Sequence, residues 1–203
     1  MEWRRLVVER GERVLFEDLS GRVDAGESLL VEGRNGSGKT TFLRSIAGLY
    51  LPLQGEFLWN GENVNDLGEG FRENLLYLGH MNAIKDNLDA VENLRVQSRL
   101  SGNPASDEDI LSALAAFGLR GFEDFPTRML SQGQKRRVAL ARLLLSRAKL
   151  WVLDEPFVAL DVAAVDHLQS VISAHVEAGG IAILTTHQAT QLTDNSTHRL
   201  KLG

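Results

Sequence analysis

Ser28-Leu29-Leu30-Val31-Glu32-Gly33-Arg34-Asn35-Gly36-Ser37-Gly38-Lys39-Thr40-Thr41 is the stretch on which the fold turns. Residues 28–33 form an apolar run of strand length that enters a glycine-rich loop, and Thr41–Leu49 then shows the spacing of a helix. Gly33 to Thr40 fits GxxxxGK[ST], a spacing with a physical reason. Glycines let the backbone N–H groups from Asn35 to Thr41, across Gly36, Ser37 and Gly38, converge on phosphate oxygens without side chains in the way. Lys39 adds a charge for β- and γ-phosphates, Thr40 offers a hydroxyl to Mg²⁺, and the following helix directs its positive end at the anion. The competing reading is a glycine-rich turn that binds nothing.

Outward from the loop, residues 3–8 and 13–16 read as short strands, and Glu56–Trp59 reads as a strand leading into a turn at Asn60-Gly61. A helical lobe is expected over about 84–147. Within it Ser106 is placed as an N-cap, Ile110, Leu111, Leu114 and Phe117 recur at helical spacing, and Gly118 ends the helix. Leu150–Leu153 and Ile181–Thr185 suit buried parallel strands, separated by an amphipathic helix near 163–178. Residues 198–202 alternate like a half-exposed strand. The expectation is one α/β domain, with core segments 1–83 and 148–203 around the lobe.

A second pattern is more selective: Leu130-Ser131-Gln132-Gly133-Gln134, then Trp151-Val152-Leu153-Asp154-Glu155-Pro156. Asp154, at the end of an apolar strand, is placed to hold Mg²⁺, and Glu155 to orient or deprotonate an attacking water. An ordinary acidic turn before Pro156 is the plainer alternative. Asp161 and His187 follow. A single histidine after a strand is more often structural than catalytic, and His187 gains weight only from its company.

The chain has 203 residues, 43% apolar content and a formal net charge of -5, which suffices for a buried core and argues against a broad nucleic-acid surface. Lys135, Arg136 and Arg137 form the one basic cluster singled out, expected as a solvated helix face. Without cysteine there is no thiolate nucleophile, sulfur metal site or covalent haem attachment point. No run reaches the length of a membrane-spanning helix.

Taken together and in this order, the motifs resemble those of the ATP-binding cassette (ABC) superfamily over nearly the whole chain. Gly33–Thr40 is similar to its Walker A motif, Leu130–Gln134 to its signature, Leu150–Glu155 to its Walker B, Ala159–Asp161 to its D-loop and His187 to its switch histidine. The resemblance implies a P-loop NTPase core of ABC type with a small antiparallel β region and an inserted helical lobe. It also implies ATP and Mg²⁺ as cofactors, nucleotide binding by Arg34, Asn35 and Thr41 beside the loop residues already named, and a homodimer. There Ser131, Gln132, Gly133 and Gln134 of one subunit would close over the γ-phosphate held by Lys39 of the other.

Three positions depart from the superfamily pattern. Gln132 stands where glycine is usual. Arg10 occupies the place of an adenine-stacking aromatic, with Phe16, more simply a core residue, as a substitute. His80 stands in the coupling loop where glutamine is usual; imidazole suits Mg²⁺ poorly, so His80 is expected on water or a partner chain, or as a plain loop residue. Within the superfamily, Gly79-His80, Lys85, Glu92-Asn93-Leu94, Arg136–Leu143, Leu153–Phe157 and Gly179–Gln188 resemble the ATPase subunit family of cytochrome c maturation, also called the haem exporter ATPase. That implies a peripheral subunit on the cytoplasmic face of the bacterial inner membrane. It would bind integral membrane subunits around residues 80–100 and use ATP to export haem or to release a haem-loaded chaperone. No haem site is visible in the chain. An ATPase of another transporter and a nucleotide-gated assembly factor are the alternatives; Glu155 argues against the latter.

Overall fold

The computed structural model describes residues 1–186 and 196–203. His187 therefore lies outside the described residues. The chain divides into two compact units, residues 1–77, 148–155 and 173–203 in the first and 78–147 with 156–172 in the second.

The first unit has two sheets. Strands β1 (Glu2–Arg10), β2 (Arg13–Arg22), β4 (Gln54–Trp59) and β5 (Glu62–Asn63) form an antiparallel sheet in the order β2-β1-β4-β5. The second sheet has the order β6-β7-β8-β3-β9, from β6 (Leu75–Leu78), β7 (Leu150–Leu153), β8 (Ile181–Thr185), β3 (Ser28–Gly33) and β9 (Thr197–Leu202). β3 runs parallel to β8 and β9, and β7 parallel to β8, in registers pairing Val31 with Thr185 and Leu153 with Leu184. Parallel pairing collects the carboxyl ends of β3, β7 and β8 at one edge, where α/β sheets hold their ligands.

Helix α1 (Lys39–Ile46) packs on β3, β7 and β8. From it Phe42, fully buried, reaches the other sheet: its ring lies 5.4 Å from Trp3 and 6.1 Å from Phe16 in edge contacts, and 6.3 Å from Phe57. Two short helices, α2 (Val64–Leu67) and α3 (Glu69–Arg72), complete this side, with Val64 and Phe71 in the same core.

Several boundaries differ from the sequence reading. α1 begins at Lys39 because Gly38, at φ 102°, caps it in a left-handed conformation. It stops at Ile46 in a Schellman turn, Leu49 N–H bonding Arg44 O at 2.8 Å and Gly48 N–H bonding Ser45 O at 3.1 Å, which leaves Leu49 outside the helix. β2 extends to Arg22, well past Phe16. Its pairing with β1 shifts register three times, so the apolar alternation that marks a strand fades while the ladder continues. Opposite Trp3, Gly21 leaves the space the indole fills.

The second unit is helical: α4 (Ala90–Leu100), α5 (Asp107–Ala116) and α6 (Gln132–Leu145) pack pairwise, followed by the first part of α7 (Val162–Glu177). Each of the three packed helices opens with a capping box, Asp89 with Glu92, Ser106 with Asp109 and Ser131 with Gln134. Ile110, Leu114 and Phe117 are buried as their spacing indicates, whereas Leu111 is 44% exposed. This unit starts at Leu78 and takes in 156–172, unlike the lobe expected over about 84–147. Long-range side-chain contacts, invisible to local patterning, draw the difference: Arg137 pairs with Asp161 at 2.6 Å, and the Phe117 ring meets His167 at 4.9 Å. Lys135 and Arg137 are also mostly covered, and Arg136 is 4% exposed, so the basic run is not the solvated face its composition suggests.

Phe42→Ala removes the wedge common to both sheets and is expected to lower unfolding stability by about 3–5 kcal/mol. Urea denaturation of the variant against the parent chain checks this.

Candidate functional site

The phosphate-type loop lies between β3 and α1. Gly33 and Gly36 have φ of 153° and 82°, and Gly38 the 102° already noted. A Cβ on Gly33 would run into Leu202 O and Ser37 Oγ, and one on Gly38 would come within 3.1 Å of the Phe16 ring and 3.2 Å of Leu15 Cβ. Over Gly36 there is open space. The loop is thus walled by β9 and the antiparallel sheet, and open at Gly36. Lys39 Nζ donates to Gly33 O at 2.7 Å and Arg34 O at 3.2 Å, which aims two of its three protons at the loop's own carbonyls and leaves the third for an anion. Ser37 N–H closes a turn on Arg34 O at 3.1 Å, so among the amides from Asn35 to Thr41 this one serves the loop itself. Ser37 Oγ, buried and without a hydrogen-bond partner, adds an inward polar atom. Thr40 is half-buried one residue into α1, whose first turn carries no acidic residue.

At the carboxyl ends of β7 and β8, Asp154 is 2% exposed and accepts a hydrogen bond from Thr185 Oγ1 at 2.8 Å. Thr185 Oγ1 in turn accepts from Glu155 N–H at 2.9 Å. Glu155 has φ 50°, in the left-handed region, so the chain turns sharply between the two carboxylates. They leave in different directions, Asp154 into the protein and Glu155 half-exposed. Nearby, burial pushes the Tyr77 phenol up, with a hydrogen bond from Arg44 opposing and the Asp154 charge adding to the effect. Behind these groups the His175 ring stacks on Trp151 at 3.7 Å and bears on β7. Burial holds that imidazole below its ordinary range.

In the second unit Ser131 caps α6, its Oγ accepting from Gln134 N–H at 3.2 Å while Gln134 Oε1 accepts from Ser131 N–H at 2.9 Å. That arrangement leaves the Ser131 hydroxyl proton for another acceptor. Gln132 is exposed on the first turn, where no acidic residue occurs. A Cβ on Gly133 would lie 2.8 Å from Ala159 O, which explains why glycine stands there. Asp161 caps α7 by accepting from Ala164 N–H at 3.0 Å and pairs with Arg137; the cap first, then the guanidinium, holds its carboxyl below the usual range. Arg136 donates to Gly79 O at 3.2 Å, Asn82 Oδ1 at 3.1 Å and Pro156 O at 3.3 Å, tying the loop that carries His80 to the residues after Glu155. His80 itself is exposed. Arg10 is exposed beside the β1–β2 hairpin turn, whereas Phe16 is the aromatic packed against the loop at Gly38.

A family model described as "ABC transporter" matches residues 16–158, more than half of the chain. "Cytochrome c biogenesis ATP-binding export protein CcmA" of Dechloromonas aromatica (strain RCB) is 48% identical over 203 residues, covering 100% of both chains. The protein of the same name from Escherichia coli (strain K12) is 48% identical over 202 residues, covering 100% of this chain and 96% of that one. The chain belongs to the CcmA family of ABC ATPases. Among solved structures, a chain described as an ABC transporter ATP-binding protein from Pyrococcus furiosus aligns with a TM-score of 0.84 at 26% identity, covering 98% of this chain and 96% of that one. The cassette MJ0796, solved as a dimer, gives a TM-score of 0.84 at 23% identity over 98% of this chain and 94% of that one, and so shares the fold.

Against that ABC frame, sequence reasoning passed over Thr185 and Tyr77. A hydroxyl at the last position of a buried apolar strand was the one available signal for Thr185. Gly133→Ala is expected to push α6 from Ala159 and to cost about 1–3 kcal/mol of stability. Thermal unfolding of the variant measures the cost, and its ATPase rate should fall with it.

Proposed function

We propose that the chain is the ATP-hydrolysing subunit of a membrane complex for cytochrome c biogenesis, coupling hydrolysis to haem export or to release of a haem-loaded chaperone. The observation that carries this reading is the 48% identity, along the full length of both chains, with a relative named for cytochrome c biogenesis and ATP-binding export. Among the described residues no helix is long and apolar enough to cross a membrane, so the path across is assigned to other subunits.

In this reading the glycine loop and Lys39 bind the β- and γ-phosphates, and Phe16 or Arg10 faces the adenine. Thr40 and Asp154 fit Mg²⁺: both offer hard oxygen donors, and Thr185 fixes the Asp154 carboxylate from one side. No cluster of three or more His, Asp or Glu gathers among the described residues, which suits an ion held by few protein groups and completed by phosphate oxygens. When bound, Mg²⁺ would neutralise charge on the phosphates. Glu155 orients and deprotonates the attacking water, and the switch-histidine role expected of His187 falls outside the described residues. Ser131 and Gly133, at the start of a long helix without acidic residues in its first turn, supply the second half of the site to the partner subunit of a homodimer.

Docking to the membrane subunits, at the cytoplasmic face of the inner membrane, is assigned to the surface around residues 80–100. There Met81 and Leu100 are 83% and 82% exposed. Asn93, 3% exposed, steadies the loop before α4, donating to Asp89 O at 2.8 Å and Lys85 O at 3.1 Å and accepting from Lys85 N–H at 2.8 Å.

Glu155→Gln tests the core of the proposal. ATPase turnover should fall about 100-fold or more while nucleotide binding persists, and the variant should sediment as a dimer with saturating Mg·ATP. A variant that stays monomeric at high concentration, or that hydrolyses ATP at the parent rate, contradicts it.

A further inference from the structure

We propose that Thr185 is a positioning residue for hydrolysis, its hydroxyl setting the Asp154 carboxylate and the Glu155 backbone at the same time. The inference rests on the ATPase reading above and adds a residue to it. Thr185 is fully buried at the last position of β8, in register with Val31 of β3. Its Oγ1 has one proton and gives it to Asp154 Oδ1 at 2.8 Å, so the lone pair that takes Glu155 N–H at 2.9 Å is fixed in direction. The hydroxyl therefore has a single polarity. It holds the Asp154 carboxylate with its proton and the Glu155 N–H with a lone pair at once.

Two features make the placement consequential. Glu155 sits at φ 50°, a conformation that side chains other than glycine seldom adopt and that persists where surrounding bonds enforce it. The Glu155 N–H bond to Thr185 is one such bond, and it holds the backbone from which the side chain departs. Asp154 is 2% exposed, so bulk water does not compete for the Oδ1 that Thr185 occupies. A valine would fill the same volume and could make neither bond. Hydrogen-bond partners of metal-binding carboxylates matter for function, their loss typically costing about 10–100-fold in metal affinity or activity.

The test compares Thr185→Val, Thr185→Ala and Thr185→Ser in the purified chain. Two readouts are taken: kcat for ATP, and ATP binding followed by tryptophan fluorescence across a Mg²⁺ titration that begins in EDTA. The Val and Ala variants are expected to lose about 10–100-fold in kcat and to need about as much more Mg²⁺ for the half-maximal gain in ATP affinity. Their affinity in EDTA should match the parent chain. Thr185→Ser keeps the hydroxyl and should match the parent in both readouts. Parent-like kcat and Mg²⁺ dependence in Thr185→Val overturn the inference, as does a Ser variant as impaired as Ala, which would assign the effect to the methyl group. If the Val variant does not fold, the Ser and Ala pair decides. A parent chain that binds but does not hydrolyse ATP would defeat the ATPase reading, while the Mg²⁺ titration would still decide the role of Thr185.

Discussion

The ring contacts of Phe42 with Trp3, Phe16 and Phe57 are the constraint on which the first unit depends. Phe42 stands three residues into α1, so the ring that joins α1 to the antiparallel sheet also sets the height of Lys39, one turn back. Burying a phenyl ring against three aromatics rewards a single placement of the helix. With the helix fixed, Gly38 must take a left-handed turn and Gly33 must clear Leu202 O, and the loop between them has little freedom left. The open space at Gly36 and the inward Ser37 hydroxyl are the consequence. A hydrophobic wedge thus builds a polar cradle.

The residues assigned roles in the proposed function are divided along the chain. The first unit carries the glycine loop, Asp154, Glu155 and Thr185; the second carries Ser131, Gly133, Asp161 and the loop with His80. Within the second unit Arg136 holds Gly79 O, Asn82 Oδ1 and Pro156 O, and Arg137 holds Asp161. Guanidinium groups suit this work because their planar donors can serve several acceptors at once. The signature helix, the coupling loop and the segment after Glu155 accordingly share one hydrogen-bonded frame. That frame gives a physical reason for a basic run inside an acidic protein.

Much of this was legible in the sequence where local chemistry dominates. The strand, glycine loop and helix from Ser28 follow from glycine conformations and apolar spacing, and the Ser106 cap and the Gly118 stop follow from hydrogen-bonding rules that act within four residues. The ABC family was legible for the same reason, since its motifs are short and ordered. Legibility failed where distant partners decide. The extension of β2 past Phe16 depends on pairing with β1, the burial of Arg136 on carbonyls at residues 79 and 156, and the part played by Thr185 on a register between β7 and β8. The Phe16 against Gly38 contact was not visible either, because it crosses from the antiparallel sheet to the loop.

The central claim joins a cassette's chemistry to cytochrome c assembly. Its most direct test is the covalent haem content of c-type cytochromes in the native host when the only copy of this chain is replaced by a hydrolytically dead Lys39→Ala form. The account predicts loss of covalently bound haem with the variant still expressed and membrane-associated. Normal haem attachment in those cells would contradict it.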